Sequence, residues 1–247
     1  MAGRIEIRVG ALCALLRELG LGEPHITLRD RDTLVWVDPA SRQEMSRQAR
    51  QECIDAGLIG ESDVDDETTG WLATLTSPSV EYYAWVTDSG QAMTILVAAI
   101  GRAAALAVRC GDTVHLARIT ARNLGQALIA ALPRTPPGRG SVNVRLTDLT
   151  DAAEARDGGN DSNLAPRDPE VDRYAEFARM PATGLGEFHV AVRDRMGRRR
   201  ALSKPLRYRD TSEGRWLVQV DSRWMSVLPG DDSLIATRLA GARGGLS

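Results

Sequence analysis

The spacing of hydrophobic residues changes several times along the first half of the chain, and each change predicts a new element. Ile5, Ile7 and Val9 alternate with other residues and predict a strand. Four leucines between positions 12 and 19 follow at helical spacing and predict a helix. An acidic run at 62–67 predicts the start of another helix, because carboxylates are favoured at the positive end of the helix dipole. Further helices are predicted at 39–56 and 120–132, and strands at 80–87, 92–100, 103–109, 113–119 and 141–146.

The second half of the chain repeats this order of elements. Its pattern predicts a helix at 170–180, strands at 187–193, 201–208, 215–220 and 224–228, and a last helix at 231–240. Between the halves, 147–169 has no hydrophobic period and is rich in Asp, Ala, Gly and Asn, which predicts a flexible linker. One segment, 24–37, is ambiguous, because a pair of strands and a loop both fit its pattern.

The shared order of elements indicates an internal repeat. Placing Glu81 over Glu187, an offset of 106 residues, also aligns nearby aromatic, valine and aspartate positions. The two halves are then 1–146 and 170–240. Tight turns between neighbouring strands require antiparallel pairing, so both halves are expected to build an antiparallel sheet with helices packed on it. Because few residues are identical, two unrelated units of similar design remain the alternative.

Composition and charge exclude several classes of protein. The 247 residues suffice for a hydrophobic core, and 31 basic against 33 acidic residues give no overall attraction to nucleic acid or membranes. Three widely spaced cysteines rule out a disulfide framework and predict a reducing, cytoplasmic location. The charged opening residues do not resemble a signal peptide, and no membrane insertion is expected. The strong preference for Arg over Lys is typical of a GC-rich genome, such as that of an actinobacterium.

No pattern of residues predicts catalysis, a cofactor or a metal ion. His25, His115 and His189 are far apart, and none is paired with a cysteine at the spacing of a metal site. The glycines at 138–140 follow prolines and precede a strand, which is not the context of a phosphate-binding loop. The acidic residues at 63–67 lack the central glycine and terminal glutamate of a calcium loop. We therefore expect a protein that is not an enzyme and binds no cofactor.

Two groups of residues are relevant to partner binding. Basic residues are dense between 193 and 209, but aromatic residues are not interleaved with them. This favours a solvated face or a surface for an acidic protein over one for nucleic acid. Trp85, Trp216 and Trp224 lie on predicted strands, where packing in the core and anchoring of a protein partner both fit.

Five short motifs, spread over nearly the whole chain, carry a resemblance to a known family. YRDTSEGRW at 208–216 places an Asp-Thr pair before a Gly-Arg-aromatic segment, and WMSVLPG at 224–230 forms a closing strand. LPRTPPGRGSV at 132–142 bridges the two halves. A first helix ending in Gly-x-Pro (15–24) and a helix end with Ala-Gly-Leu (56–58) occur in the same order. Together these motifs resemble the EspG family, the cytosolic chaperones of mycobacterial-type (type VII) secretion.

The resemblance implies a fold, a partner and a partner-binding surface. The fold is a single α+β domain over 1–247, a pseudo-twofold duplicated unit with a central antiparallel β-sheet and flanking helical bundles. The partner is a PE–PPE heterodimer, whose apolar PPE tip the chaperone keeps soluble and delivers for export. The implied partner-binding residues lie in the turn between the second and third strands and in the last helix: Asp88, Ser89, Gly90, Gln91, Leu234, Ile235 and Leu239. For the three residues of the last helix, burial in the core is the alternative.

Two other classes of function remain as alternatives. A structural or scaffold protein of the same fold, without a PE–PPE client, would have a uniformly polar surface, whereas a chaperone needs an exposed apolar patch. An enzyme would need titratable groups that converge in a deep pocket. Nucleic acid is not an expected partner, and weak homodimerisation stays open.

Overall fold

Eleven strands and seven α-helices make up the residues that the structure, a computed structural model, describes: 4–29, 39–157 and 168–246. The first half contains β1 (Ile5–Arg8), α1 (Val9–Glu18), α2 (Pro39–Asp55), α3 (Asp66–Ala73), β2 (Val80–Asp88), β3 (Gln91–Ile100), β4 (Ala103–Cys110), β5 (Thr113–Arg118) and α4 (Leu124–Ala130), with a 3-10 turn at Ile26–Leu28. The second half contains β6 (Val142–Arg145), α5 (Leu146–Asp157), α6 (Pro169–Arg179), β7 (Gly184–Arg193), β8 (Arg199–Ala201), β9 (Leu206–Thr211), β10 (Gly214–Val220), β11 (Trp224–Pro229) and α7 (Asp232–Gly244).

All eleven strands form one antiparallel sheet. The order across it is β1-β5-β4-β3-β2-β7-β9-β10-β11-β6, with β8 paired to β7. Within each half, the first strand of the half pairs with its last strand, and the halves meet where β2 pairs with β7. The predicted mixed α+β fold with an antiparallel sheet is therefore confirmed.

Tight turns explain why β2 to β5 follow one another directly across the sheet. Ser89 and Gly90 join β2 to β3, and both have positive φ angles, 47° and 80°. This is the two-residue hairpin turn whose twist matches that of the flanking strands. Gly101 and Gly111, each with a φ of 58°, begin the next two turns. The glycines allow the left-handed conformation at little steric cost, so local sequence determines this part of the sheet.

The helices cover the two faces of the sheet differently. On one face, α4 and α7 pack over the centre of the sheet, around Phe188 and Leu239. On the other face, α1, α2 and α3 cover the end of the sheet that contains β1, with Trp71 in the core between them. The same face is covered at the opposite end by α6 and part of α5, which pack on Trp216. Its centre, between these two groups of helices, is called the open face below.

A buried ion pair locks the second half of the sheet to the bridge between the halves. Arg215 donates two hydrogen bonds to Asp210, from Nε to Oδ1 at 2.8 Å and from Nη2 to Oδ2 at 2.7 Å. Nη2 also donates to the carbonyl of Pro133 at 2.9 Å. The guanidinium lies over the ring of Tyr208, 4.4 Å from its centre. Tyr208, Asp210 and Arg215 of the motif at 208–216 thus serve the structure of the protein.

Two glycines permit this close approach of the bridge. Gly214 has a φ of 122°, and a Cβ there would lie 2.6 Å from the carbonyl oxygen of Pro136. At Gly138 a Cβ would lie 2.3 Å from the ring of Trp216. Neither position has room for a side chain, so only glycine fits at these positions of the two motifs.

Two sequence-based predictions need correction, and one ambiguous segment is partly described. Residues 147–157, expected to belong to a flexible linker over 147–169, are part of α5, and Leu149 and Ala152 pack against the core there. Of the remainder, 158–167 lie outside the described residues, and Asp168 caps α6. The strand predicted at 201–208 is divided into β8 and β9, because Pro205 interrupts the hydrogen-bond ladder. In the ambiguous segment 24–37 only the 3-10 turn is described, since 30–38 also lie outside.

Candidate functional site

A groove of about 780 Å³ lies on the open face of the sheet. Its floor comes from β2, β3, β7, β9 and the neighbouring strands, whose outward side chains are not covered by helices here. One wall is the segment around the 3-10 turn, and the other is the side of α6. The main lining residues are Ile26, Thr27 and Arg29 on the first wall, Trp85, Thr94, Leu185, Glu187, Arg207, Arg209, Val218 and Met225 on the floor, and Tyr174 and Phe177 on the second wall.

Two of the five large hydrophobic side chains that are exposed in the described residues lie in this groove. Ile26 is 54% exposed and Leu185 is 50% exposed, although both are large hydrophobic residues. Trp85 and Met225 are part-buried and add further apolar surface between them. Contiguous apolar surface of this kind is typical of protein-binding sites.

Arginine side chains fixed by hydrogen bonds form the polar part of the groove. Arg207 Nε donates to Glu187 Oε1 at 2.7 Å. Arg209 donates to the carbonyls at the end of α6 and lies over the ring of Phe177, 5.1 Å from its centre. Arg109 Nε donates to a carbonyl in the β4–β5 turn at 2.8 Å. The carbonyls orient Arg109 and Arg209 without neutralising them, whereas Arg207 is paired with the Glu187 carboxylate. The groove therefore presents the positive charge of Arg109 and Arg209 around its apolar floor.

An aromatic stack lies next to the groove, where the two halves of the sheet meet. Tyr83 on β2 and His189 on β7 are directly opposite in the ladder, and their rings stack with centres 4.7 Å apart and planes within 5°. His25 contacts the other side of Tyr83 edge-on, at 4.8 Å. These contacts tie the segment before the 3-10 turn to the central strands, and so they position one wall of the groove.

A buried carboxylate completes this cluster. Glu81 is 2% exposed, and its Oε1 accepts a hydrogen bond from Arg199 Nε at 2.6 Å. Its Oε2 lies 3.7 Å from His25 Nε2 and accepts no hydrogen bond from any residue that the structure describes. Burial by itself raises the pKa of Glu81, but the contacts with His25 and Arg199 outweigh burial and lower it. The carboxylate is therefore ionised while only half of its hydrogen-bonding capacity is used.

The surroundings of His189 disfavour its charged form. Burial lowers its pKa, and the positive charges of Arg199 and Arg207 lower it further. Glu187, with Oε2 3.7 Å from the ring Nε2, opposes this shift without reversing it. The imidazole is consequently neutral near pH 7, in agreement with its close stacking on Tyr83.

The predicted residues of the β2–β3 turn lie at one end of this groove. Ser89, Gly90 and Gln91 are exposed and Asp88 is half-buried. Neighbouring residues on both strands line the groove, so the turn forms part of its rim. The structure places this set where a partner in the groove would reach it.

The predicted residues of the last helix lie elsewhere. Ile235 and Leu239 are 0% and 1% exposed, and Leu234 is half-buried beside them. All three belong to the core under α4 and α7, on the face of the sheet opposite the groove. Of the two possibilities for these residues, partner contact and burial, the structure shows burial for Ile235 and Leu239, because hydrophobic spacing on a helix indicates burial more often than exposure.

Sequence reasoning missed most of the apolar groove residues, Ile26, Tyr174, Leu185 and Met225. Alternation along β7 shows which side chains share a face, but it does not show which face the helices leave uncovered. Trp85 was singled out by residue type, with core packing and partner binding both open. It lies on the floor of the groove.

Residues 4–29, 39–157 and 168–246 contain neither a metal-binding cluster nor a helix that could span a membrane. These ranges contain no group of three or more His, Cys, Asp or Glu side chains that could hold a metal ion. None of the helices described there is both long enough and apolar enough to cross a membrane.

Comparison with known proteins identifies a solved structure of similar fold and a matching family. The fold is similar to that of the Mycobacterium tuberculosis type VII secretion system chaperone EspG5, solved in complex with a PE25–PPE41 dimer. The TM-score is 0.68, with 16% identity over 99% of this chain and 97% of that one. No curated protein sequence matches this chain. The model of the EspG family matches residues 8–241, nearly the full length, and the chain therefore belongs to the EspG family.

Proposed function

We propose that this protein is a cytoplasmic, non-enzymatic chaperone of type VII secretion that binds the apolar tip of the PPE subunit of a PE–PPE heterodimer. Membership of the EspG family and the fold shared with EspG5, whose solved complex contains PE25 and PPE41, support this class of partner. The observation that carries the proposal is the groove on the open face, where Ile26 and Leu185 are about half exposed. A protein without a client would have no use for that apolar surface.

The groove suits the tip of paired helices. Apolar side chains of the tip would lie over Trp85, Leu185 and Met225, and burial removes about 25 cal/mol of unfavourable hydration per Å². Covering the tip in this way prevents two clients from associating through it. The walls are fixed by Arg109 and Arg209, which hydrogen bond to backbone carbonyls, so little ordering is needed on binding.

The β2–β3 turn contributes the rim of the proposed site. Ser89, Gly90 and Gln91 are exposed at the end of the groove and can contact the partner beyond its apolar tip. Ile235 and Leu239 act indirectly, by packing α7 against the sheet behind the groove. Their substitution is expected to destabilise the fold rather than to weaken a contact.

Co-expression tests the proposal directly. The chain is produced with the PE–PPE pair encoded nearest its gene, and gel filtration reports whether the three proteins co-elute. We expect a stable complex with one copy of each. Leu185→Asp places a charge on the groove floor and should abolish co-elution. The matched control is Val220→Asp, at a strand residue with similar exposure, 44%, that does not line the groove.

Other outcomes distinguish the alternatives. If the wild-type chain elutes apart from every PE–PPE pair of its genome, the scaffold reading replaces the chaperone. If both aspartate variants bind the PE–PPE pair equally well, the pair is a client of the protein but does not bind in the groove. The elution volume of the chain alone, measured over a range of concentrations, tests the weak homodimer.

We also propose that the chain arose by duplication and that its halves are related by a pseudo-twofold axis. The sequence placed the halves at 1–146 and 170–240, but β6 pairs with β11, so we assign β6 to the second half and take the halves as 5–130 and 142–244. The strand order supports this, because β1 pairs with β5 as β6 pairs with β11. Both halves contain a strand, helices, a series of further strands and a final helix, and the final helices α4 and α7 pack on the same face of the sheet.

The position of the axis follows from the sequence offset. An offset of 106 residues makes Tyr83 equivalent to His189, and these two residues face each other in the β2–β7 ladder. A twofold axis normal to the sheet must pass between equivalent residues that pair with each other, so their stacked rings mark it. Superposing 5–130 on 142–244 tests the idea: a common core with Tyr83 over His189 is expected, and a different alignment would refute this axis.

A further inference from the structure

The two ends of the sheet differ in the charge of their turns. The register of β2 with β3 and β7 places the turn at 89–90 at one end, next to the groove. It places the turns at 101–102 and 194–198 at the other end, where the β8–β9 connection and the turn at 221–223 also lie. The exposed side chains of this second end are mostly basic. They form what we call the basic edge: Arg102, Arg195, Arg198, Arg200, Lys204 and Arg223.

Carboxylates offset only part of the positive charge of the basic edge: backbone hydrogen bonds lower the pKa of Asp221, and Arg223 and Lys204 lie near enough for their charges to lower it further. No ion pair joins any of the six to a carboxylate in the described parts of the chain. The acidic residues of the same turns are Asp194 and Asp221, and their carboxylates serve the turns themselves. Each accepts two backbone hydrogen bonds, at 2.9 Å for Asp194 and at 2.7 and 2.8 Å for Asp221. The cations are therefore available to an external anion.

The shape and composition of the edge indicate the kind of anion. The groove and a second cavity around Trp71 and Arg118 are lined by none of these six residues, and the edge itself consists of exposed turn residues. The one aromatic residue at these turns, Trp224 after the 221–223 turn, is part-buried and has Arg145 over its ring, 5.4 Å from its centre. The turns therefore offer little aromatic surface for stacking a nucleic acid base or anchoring a protein partner. Met196, at the tip of the 194–198 turn, is 77% exposed. A convex row of long cationic side chains around one exposed apolar tip fits a lipid surface best.

We propose that the basic edge binds the surface of membranes that contain anionic lipids. From the 101–102 turn to the 221–223 turn the edge spans five strand spacings, about 24 Å, which is enough to contact several headgroups at once. Each arginine near an anionic surface raises the membrane partition coefficient about fivefold. Met196 would enter the headgroup layer between them. This contact is peripheral and needs no membrane-spanning segment.

Two features make the contact reversible. The acidic first turn of α3 lies beside the edge, and Glu67 there pairs with Arg118. The attraction to anionic lipids is therefore confined to the turns of the basic edge. The cations are fully exposed and are screened by salt within about 10 Å at 0.1 M ionic strength. Because the groove opens at a different part of the sheet, membrane binding leaves it free. The inference does not depend on which partner occupies the groove.

Vesicle flotation with the full-length chain tests the proposal. The probes are phosphatidylcholine vesicles with and without about one third phosphatidylglycerol. We expect the protein to float only with the anionic vesicles at about 0.1 M salt and to be released at about 0.5 M. The variant carrying Arg195→Gln, Arg198→Gln and Arg200→Gln should lower the partition coefficient about a hundredfold. Met196→Ser should lower it to a smaller extent.

The control variant carries the same change in charge away from the edge. Arg17→Gln, Arg139→Gln and Arg179→Gln replace three exposed arginines that have no ion pair in the described residues, and anionic vesicles should still float this variant. Equal flotation with neutral and anionic vesicles would overturn the proposal, as would equal losses in the two triple variants. Binding to a labelled DNA duplex but not to vesicles would also overturn it and would assign the edge to nucleic acid. Circular dichroism confirms that each variant is folded.

Discussion

Two buried carboxylates in this sheet are paired with arginine, and they differ in how completely they are satisfied. Asp210 accepts hydrogen bonds from Arg215 at both oxygens, and each side chain of the pair is less than 5% exposed. Glu81 is equally buried, but its partner Arg199 is about one third exposed, and Glu81 Oε2 accepts no hydrogen bond in the described residues. The first pair joins the bridge to the sheet, whereas the second lies beside the groove.

The difference shows where the protein is rigid and where it can adjust. A doubly hydrogen-bonded pair with no solvent contact has one geometry, and either partner alone would be an uncompensated buried charge. A pair with one half-solvated partner and an unused acceptor can change its protonation or its neighbours at lower cost. We infer that the motif at 208–216 maintains the fold and that the cluster around Glu81 adjusts the wall of the groove.

The largest expected effect comes from breaking the first pair. Arg215→Met leaves Asp210 buried without its partner and should lower the free energy of unfolding by about 3–5 kcal/mol. Urea denaturation measures this. The control Arg207→Met breaks an exposed pair with Glu187 and should cost less than about 1 kcal/mol. Equal losses of unfolding free energy in the two variants would mean that the Asp210–Arg215 pair does not hold the bridge to the sheet.

Breaking the second pair should have an intermediate effect. Glu81→Gln keeps the shape of the side chain and removes its charge, and we expect a loss of about 1–2 kcal/mol because Arg199 can turn towards solvent. The same urea experiment measures the loss. A loss as large as that of Arg215→Met would contradict the distinction between the two pairs. Client binding should weaken in Glu81→Gln if the cluster positions the wall.

Acidification should weaken the second region in two steps. The pKa of His189 is lowered in the folded protein, so the unfolded chain takes up a proton first as the pH falls below 6.5. Stability should then decrease by at most about 1.4 kcal/mol per pH unit until the folded pKa is reached. The lowered pKa of Glu81 adds a second loss, which begins below 4.5 and continues through its folded value.

The variants separate these two steps. His189→Gln should remove the loss that begins near pH 6.5, and Glu81→Gln should remove the contribution of Glu81 at lower pH. Thermal or urea unfolding followed from pH 8 down to about pH 3 covers both steps and provides the measurement. An unchanged slope between pH 6.5 and pH 5 in His189→Gln would show that another group is responsible.

The smallest effect is expected at the rim of the groove. Ser89 has a φ of 47°, which Asn adopts more readily than Ser, and Asn-Gly is the favoured pair for this turn. Ser89→Asn should therefore stabilise the protein by about 0.5 kcal/mol. A control, Ser203→Asn, lies in an exposed connection and should change nothing measurable. If Ser89→Asn destabilised the protein, the Ser89 side chain would be making contacts in the turn that Asn cannot replace.

Much of the fold could be predicted because it is encoded locally. The series β2 to β5 follows from alternating side chains and from glycines placed at two-residue turns, and α3 begins where Asp65 accepts a hydrogen bond from the backbone of Thr68. Prediction failed at α5, whose hydrophobic residues are too few to show a period. It also failed at β8 and β9, which one alternating pattern treated as a single strand.

The candidate site was predicted only in part. The turn at 88–91 could be placed because the resemblance pointed to a loop between two definite strands. The sequence did not decide between partner contact and burial for Ile235 and Leu239. A hydrophobic stripe on a helix has the same pattern whether it packs on the sheet or binds a partner. The tertiary structure decided this by packing α4 and α7 together on one face.

The sequence by itself determined the order of the elements, the antiparallel connections and the family, because each depends on short stretches of neighbouring residues. Only the tertiary structure decided that β1 and β6 close the two outer ends of the sheet and that the centre of one face stays uncovered. It also brought His25, Glu81 and His189 together from three separate segments. The physical reason is that these features depend on contacts between residues far apart in the chain, where local periodicity carries no information about which surfaces meet.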